Sequence, residues 1–151
     1  YFNLMEGFES LHIERGVSFR RYCHLMLSPG ATLVIRSNVF FNNKCSINCL
    51  HSIEIGENTL LGEGVRLYDH NHKYSFSPEQ GLKVKTDSFR KDAIRIGKNC
   101  WIGSNVTILK GVEVGDNVII GANCLIHRSV PANSVVKHSE ELIITPIDKE
   151  D

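Results

Sequence analysis

Isoleucine and valine recur every six residues through the second half of the chain. Stepping by six from Ile96 lands on Ile102, Ile108, Val114, Ile120, Ile126 and Ala132. The fifth position of each hexad reads Cys100, Val106, Val112, Val118, Cys124, Val130 and Val136, and Gly97, Gly103, Gly115 and Gly121 follow first positions. An amphipathic helix would repeat its apolar stripe every three and four residues, which makes seven over two turns and not six. The β-branched residues, Gly and Asn in this stretch disfavour helix further. The period predicts a short strand and a corner every six residues, stacked as a parallel β-solenoid with first and fifth positions pointing inward.

Shorter pieces upstream keep the period in shifted phase. Ile13, Phe19 and Leu25 form one run, Ile35, Phe41 and Ile47 a second, and Ile55, Leu61 and Leu67 a third. The phase slips near 26–34, near 48–54 and across 68–93, and slips inside a solenoid read as loops, where function concentrates. The longest, about 69–91, reads as one long loop excursion holding His70, His72, Pro78, Gly81 and the basic residues Lys83, Lys85, Arg90 and Lys91. Residues 138–151 carry no hexads and read as a tail, with a short edge strand expected at 142–144. One domain over 1–151 accommodates all of this.

Composition narrows the function classes. Seventeen Lys and Arg balance seventeen Asp and Glu, so no overall field recruits nucleic acid or an anionic membrane. No apolar run reaches the length of a membrane span, and no signal-peptide pattern opens the chain. The five cysteines, Cys23, Cys45, Cys49, Cys100 and Cys124, form no C-x-x-C pair, so the expectation is reduced, buried thiols in a cytoplasmic protein.

The hexads Ile96-Gly97, Ile102-Gly103, Val114-Gly115 and Ile120-Gly121 resemble those of the hexapeptide-repeat acyltransferases. Ile55-Gly56-Glu57-Asn58, then Tyr68-Asp69-His70-Asn71-His72, then Asn99-Cys100-Trp101-Ile102-Gly103-Ser104, look like the maltose and galactoside O-acetyltransferase branch. Variants with an Asp-His-Asn-His loop are tailoring enzymes of surface polysaccharides. The resemblance covers about 27–136. It implies an all-β fold, a left-handed parallel β-helix of triangular coils, which is an exception to the usual right-handed crossover. It also implies a homotrimer with active sites between subunits, acetyl-coenzyme A as cosubstrate with no metal, and a sugar, nucleotide-sugar or polysaccharide precursor as acceptor.

Acetyl transfer to a hydroxyl needs a base, and histidine titrates in the right range. In ungapped register the family's catalytic histidine falls on His72, with His70 a neighbour that lines the sugar pocket or bonds the loop. The same register places acceptor-binding residues at Asn42 and Ser28, while Trp101 resembles the tryptophan that flanks the family's site. Cofactor positions map to Ser104, Ala122, His127 and Arg128, where small residues admit the pantetheine arm and a basic residue meets phosphate. Asn42 equally suits a solenoid corner, and Arg128 a plain surface charge.

Two departures stand out. Leu50 replaces an acidic residue that holds the acceptor in the family, which points to a different sugar or a different grip. Val136-Lys137-His138-Ser139 stands where the family has a Gly-x-Pro-Ala segment that helps hold coenzyme A; Lys137, or a basic residue of 83–91 from a neighbouring subunit, is a candidate replacement. Two other readings stay open from sequence: a γ-carbonic-anhydrase-like metal enzyme drawing on His51, His70 and His72, and a non-catalytic β-helix scaffold.

Overall fold

The computed structural model describes residues 1–139, and among these every element is a strand. The chain winds through six coils of short strands. The first three are β1 (Phe2–Leu4), β2 (Ser10–Ile13) and β3 (Ser18–Phe19); β4 (His24–Leu27), β5 (Thr32–Ile35) and β6 (Phe40–Phe41); and β7 (Ser46–Cys49), β8 (Ser52–Ile55) and β9 (Leu60–Leu61). The fourth starts with β10 (Arg66–Tyr68), leaves through a hairpin of β11 (His70–Ser77) and β12 (Gly81–Lys91), and returns at β13 (Ile94–Ile96) and β14 (Trp101–Ile102). The fifth is β15 (Thr107–Leu109), β16 (Glu113–Val114) and β17 (Ile119–Ile120), and the sixth holds β18 (Leu125–Ile126) and β19 (Val135–Val136).

Each of the first five coils gives one strand to each of three parallel sheets, and the sixth gives a strand to the first and third only. The first face stacks β1-β4-β7-β10-β15-β18, the second β2-β5-β8-β13-β16, and the third β3-β6-β9-β14-β17-β19. Inward residues form apolar columns in register, such as Leu25, Ile47, Leu67 and Ile108 on the first face. On the third face Phe41, Leu61, Ile102 and Ile120 stack likewise, with Phe19 lying 4.5 Å from Phe41, ring on ring. This is the expected all-β solenoid of hexapeptide coils.

Asparagine builds one corner. Between the second and third faces, Asn38, Asn58, Asn99, Asn117 and Asn133 all adopt φ of 56–59°, the left-handed region that Asn tolerates better than most residues. Each side-chain amide donates to Oδ1 of the next, at 3.1, 3.2, 3.3 and 2.9 Å, so the corner is a continuous ladder.

The three phase slips all fall at one place, the corner between first and second faces: β4 to β5, β7 to β8 and β10 to β13. Insertions there leave the other two corners regular. The longest is a hairpin rather than an irregular loop, in register from His70↔Lys91 to Ser77↔Gly81 with a bulge between His72 and Tyr74. The last coil departs from the six-step. Val130, and not Ala132, bridges Val114, and Val136 pairs with Ile120. The coil is two residues shorter than the fifth, and the two are missing between Ile126 and Val130, at the corner between first and second faces. The edge strand expected at 142–144 lies outside the described residues.

Candidate active site

The hairpin leaves the solenoid where strand alternation turns a carboxylate inward. Leu67 points in, Tyr68 out and Asp69 in, in the column of Leu27 and Cys49. Asp69 is fully buried, and a buried carboxylate survives only with hydrogen-bond partners. It has them in three consecutive backbone N–H groups of the coil below. Leu50 donates at 2.9 and 3.1 Å, His51 at 2.7 Å and Ser52 at 2.9 Å. Beside it, burial pushes the Cys49 thiol up to about 12, and the neighbouring carboxylate adds to the shift.

His70 Nδ1 lies 3.1 Å from Asp69 Oδ1. Its ring is held edge-on by Tyr68 at 6.3 Å and Phe89 at 5.3 Å. His72 lies two residues along the same strand and pairs with Phe89, its ring 4.7 Å from the phenyl centroid. Its Nδ1 lies 2.9 Å from the Lys85 carbonyl. A carbonyl only accepts, so Nδ1 carries the proton and Nε2 keeps a free lone pair. His72 is exposed, so that lone pair is open to a substrate.

The other expected site residues divide between two edges. Ser28 sits at the first-to-second corner, two coils below the hairpin, with its hydroxyl buried and without a protein partner. His127 and Arg128 are exposed at the same edge in the sixth coil, where they line a cavity of about 450 Å³ with Pro131 and Val135. Asn42, Ser104 and Ala122 occupy the corner between third and first faces. Asn42 Oδ1 accepts from Asn43 N–H at 2.8 Å, a local turn bond that suits the corner role. Ser104 and Ala122 are exposed on successive coils, and Ser104 carbonyl accepts from Asn123 N–H. The two edges are separated by the width of the first face, about 13 Å for a four-residue strand.

Trp101 points outward, as expected, from the third face. It stands between Leu60 and Ile119 in an exposed apolar column that ends at Val135. Leu50, where the family has an acid, is buried and contributes only its backbone to Asp69. All five cysteines are reduced and buried. Among the described residues no three His, Cys, Asp or Glu side chains converge as metal ligands, so His51, His70 and His72 form no such group within one chain. No described helix is long and apolar enough to cross a membrane. Asp69 was missed as a site residue, although its inward place in the alternation was a readable signal.

Residues 93–128 match the bacterial transferase hexapeptide (six repeats) family. WbbJ of Escherichia coli (strain K12), provisionally named a lipopolysaccharide biosynthesis O-acetyl transferase, is 36% identical over 104 residues, covering 66% of this chain and 53% of WbbJ. This chain belongs to the hexapeptide-repeat acetyltransferase family. The galactoside O-acetyltransferase of the same strain is 32% identical over 124 residues, covering 82% of this chain and 59% of that enzyme. The chain thus spans between half and three fifths of the length of these two relatives. A hexapeptide-repeat acetyltransferase of Vibrio cholerae O1 biovar eltor, solved with acetyl coenzyme A, shares the fold with a TM-score of 0.66. It is 24% identical, over 86% of this chain and 66% of that one.

Proposed function

We propose that this hexapeptide-repeat chain transfers an acetyl group from acetyl-coenzyme A to a hydroxyl of a sugar or polysaccharide precursor, with His72 as general base. The observation that carries the reading is the open Nε2 of His72, fixed by the Lys85 carbonyl at the base of the hairpin. The curated relatives named for O-acetyl transfer support the reaction class. In this mechanism Nε2 takes the hydroxyl proton as the oxygen attacks the thioester carbonyl. Backbone N–H groups at the Ser104 corner stabilise the oxyanion, the C–S bond breaks, and the departing thiolate recovers the proton from His72. A covalent cysteine intermediate is disfavoured, because every thiol is buried and burial pushes Cys45 and Cys49 up to about 12.

Asn42, Ser28 and His70 are the proposed acceptor contacts, with Trp101 beside them. Ser104, Ala122, His127 and Arg128 are the proposed cofactor contacts. Within one chain the hairpin leaves between the first and second faces, whereas Trp101 lies on the third. The arrangement therefore favours a homotrimer in which one copy's histidines meet a neighbour's Trp101 and Ser104.

Thiol release from acetyl-coenzyme A over a panel of sugars and nucleotide sugars tests the reading. His72→Ala is expected to lower the rate by about 10²–10⁴. A turning-over wild type matched by His72→Ala would remove the assignment, and a wild type inert on the whole panel would favour the scaffold reading.

A further inference from the structure

We infer that Asp69 is a positioning residue that makes His70 a second proton acceptor at the hairpin base, a role that rests on the acyl-transfer reading above. Its carboxylate is spanned by the N–H groups of Leu50, His51 and Ser52, each within 3.1 Å, so its charge is met by backbone donors from the coil below. An ionised carboxylate has no proton to give. The 3.1 Å contact with His70 therefore requires Nδ1–H on the imidazole, which leaves Nε2 bare. The ring has little freedom to turn away. Its side chain is only 14% exposed, and Tyr68 and Phe89 meet it at 89° and 90°.

The consequence is a histidine whose tautomer is set by the solenoid and not by the hairpin. His72 takes its orientation from Lys85 within the hairpin, while His70 takes it from the corner at 50–52. Both rings flank Phe89, so the hairpin base presents two bare Nε2 atoms on one face. A purely structural Asp69, closing the corner and nothing more, would leave the His70 tautomer free.

Asp69→Asn separates the two roles. The amide oxygen still accepts from the backbone, and the amide N–H₂ now faces His70, which moves the imidazole proton to Nε2. Long-range ¹H–¹⁵N NMR on ¹⁵N-histidine-labelled protein reads the tautomer directly, with the His70 signals assigned by their loss in His70→Gln. The expected result is Nδ1–H in the wild type and Nε2–H in Asp69→Asn. Alongside it, kcat falls about 10–100-fold with acceptor KM little changed. Nε2–H in the wild type overturns the inference without any variant, so a variant that fails to fold does not protect it. An unchanged tautomer in Asp69→Asn, or a switched tautomer with unchanged kcat, overturns it too. If the wild type turns over no acceptor, the proposed function fails while the NMR result still decides whether Asp69 sets His70.

Discussion

Asn99 donates its side-chain amide to Oδ1 of Asn117 at 3.3 Å, and both residues sit at φ of 56°. One side chain thus does two jobs at the corner, tolerating the left-handed backbone and bonding the next coil. Replacing Asn99 by Ala removes both, at about 1–2 kcal/mol for the backbone and about 0.5–1.5 kcal/mol for each hydrogen bond lost. Asn99→Gly relieves the backbone and loses only the bonds. Thermal denaturation should rank wild type above Asn99→Gly and Gly above Ala; equal midpoints for Gly and Ala would mean that φ carries no cost here.

The hexads made the fold legible because each inward column needs the same kind of side chain on every coil, and Ile and Val advertise it. The slips were legible as interruptions, but not as insertions into a single corner. That follows only from the register in which Leu33, Ile53 and Ile94 stack. Val130 was hidden because it is apolar in either frame; only the bridge to Val114 shows that two residues were dropped. The hairpin was legible in principle, since Tyr74 and Phe76 alternate with serines and Leu82 and Val84 with lysines around a Pro-Glu-Gln-Gly turn. Motif resemblance drew attention to the histidines and passed over Asp69, whose partners are backbone groups with no sequence signature.

Two glycines should both lose stability on replacement by alanine, for different reasons and by different amounts. A Cβ at Gly103 would lie 2.6 Å from Ala122 N and 2.7 Å from Ile120 O, against the backbone of the next coil. That coil cannot move alone without breaking its ladder bonds, so the cost should reach or exceed the about 1–3 kcal/mol usual for overpacking. Gly30 has φ of 72° but nothing within 4 Å of the added atom, so only backbone strain of about 1–2 kcal/mol remains. Chemical denaturation of the two variants compares the costs, and a smaller loss at Gly103 would contradict the coil spacing.

The Cys45 and Cys49 thiols, pushed from 9.0 up to about 12 by burial, give the fold a signed pH dependence. In the unfolded chain thiols ionise near pH 9 while these two stay protonated in the folded one. Their contribution is therefore complete below about pH 9 and is lost as pH climbs toward 12. Cys45→Ala with Cys49→Ala should flatten the fall of the denaturation midpoint over that window, whatever the variant's absolute stability. A thiol reagent at pH 8 should label the native protein slowly and all five cysteines once it is unfolded. Rapid native labelling would refute the burial.

Thr59 carries a polar bond inside an apolar column. Its hydroxyl donates to Gly97 carbonyl at 2.9 Å and accepts from Cys100 N–H at 3.1 Å, with the residue 1% exposed. Thr59→Val keeps the shape and strands both backbone groups, which should cost about 1–3 kcal/mol, whereas Thr59→Ser keeps the bonds and loses a methyl group. Denaturation midpoints should fall further for Val than for Ser, and the reverse order would mean that packing outweighs the hydrogen bonds.

The hairpin carries the last prediction. Tyr74 pairs with Val84 and Phe76 with Leu82, so all four side chains share one face, and all four are exposed. A two-stranded hairpin is marginal by itself in water, and a contiguous apolar face of this kind marks a surface that something covers. The exposed column of Leu60, Trp101, Ile119 and Val135 lies on a different side of the solenoid. Two unlike apolar surfaces on one chain suit head-to-tail association, which closes into a ring when the rotation permits. The proposed homotrimer would then sediment at three times the chain mass. Phe76→Ser with Leu82→Ser should shift it to monomer and abolish transfer, while leaving far-ultraviolet circular dichroism unchanged. A wild type that sediments as a monomer would remove the shared site, because His72 and Trp101 of one chain lie on different sides of the same prism.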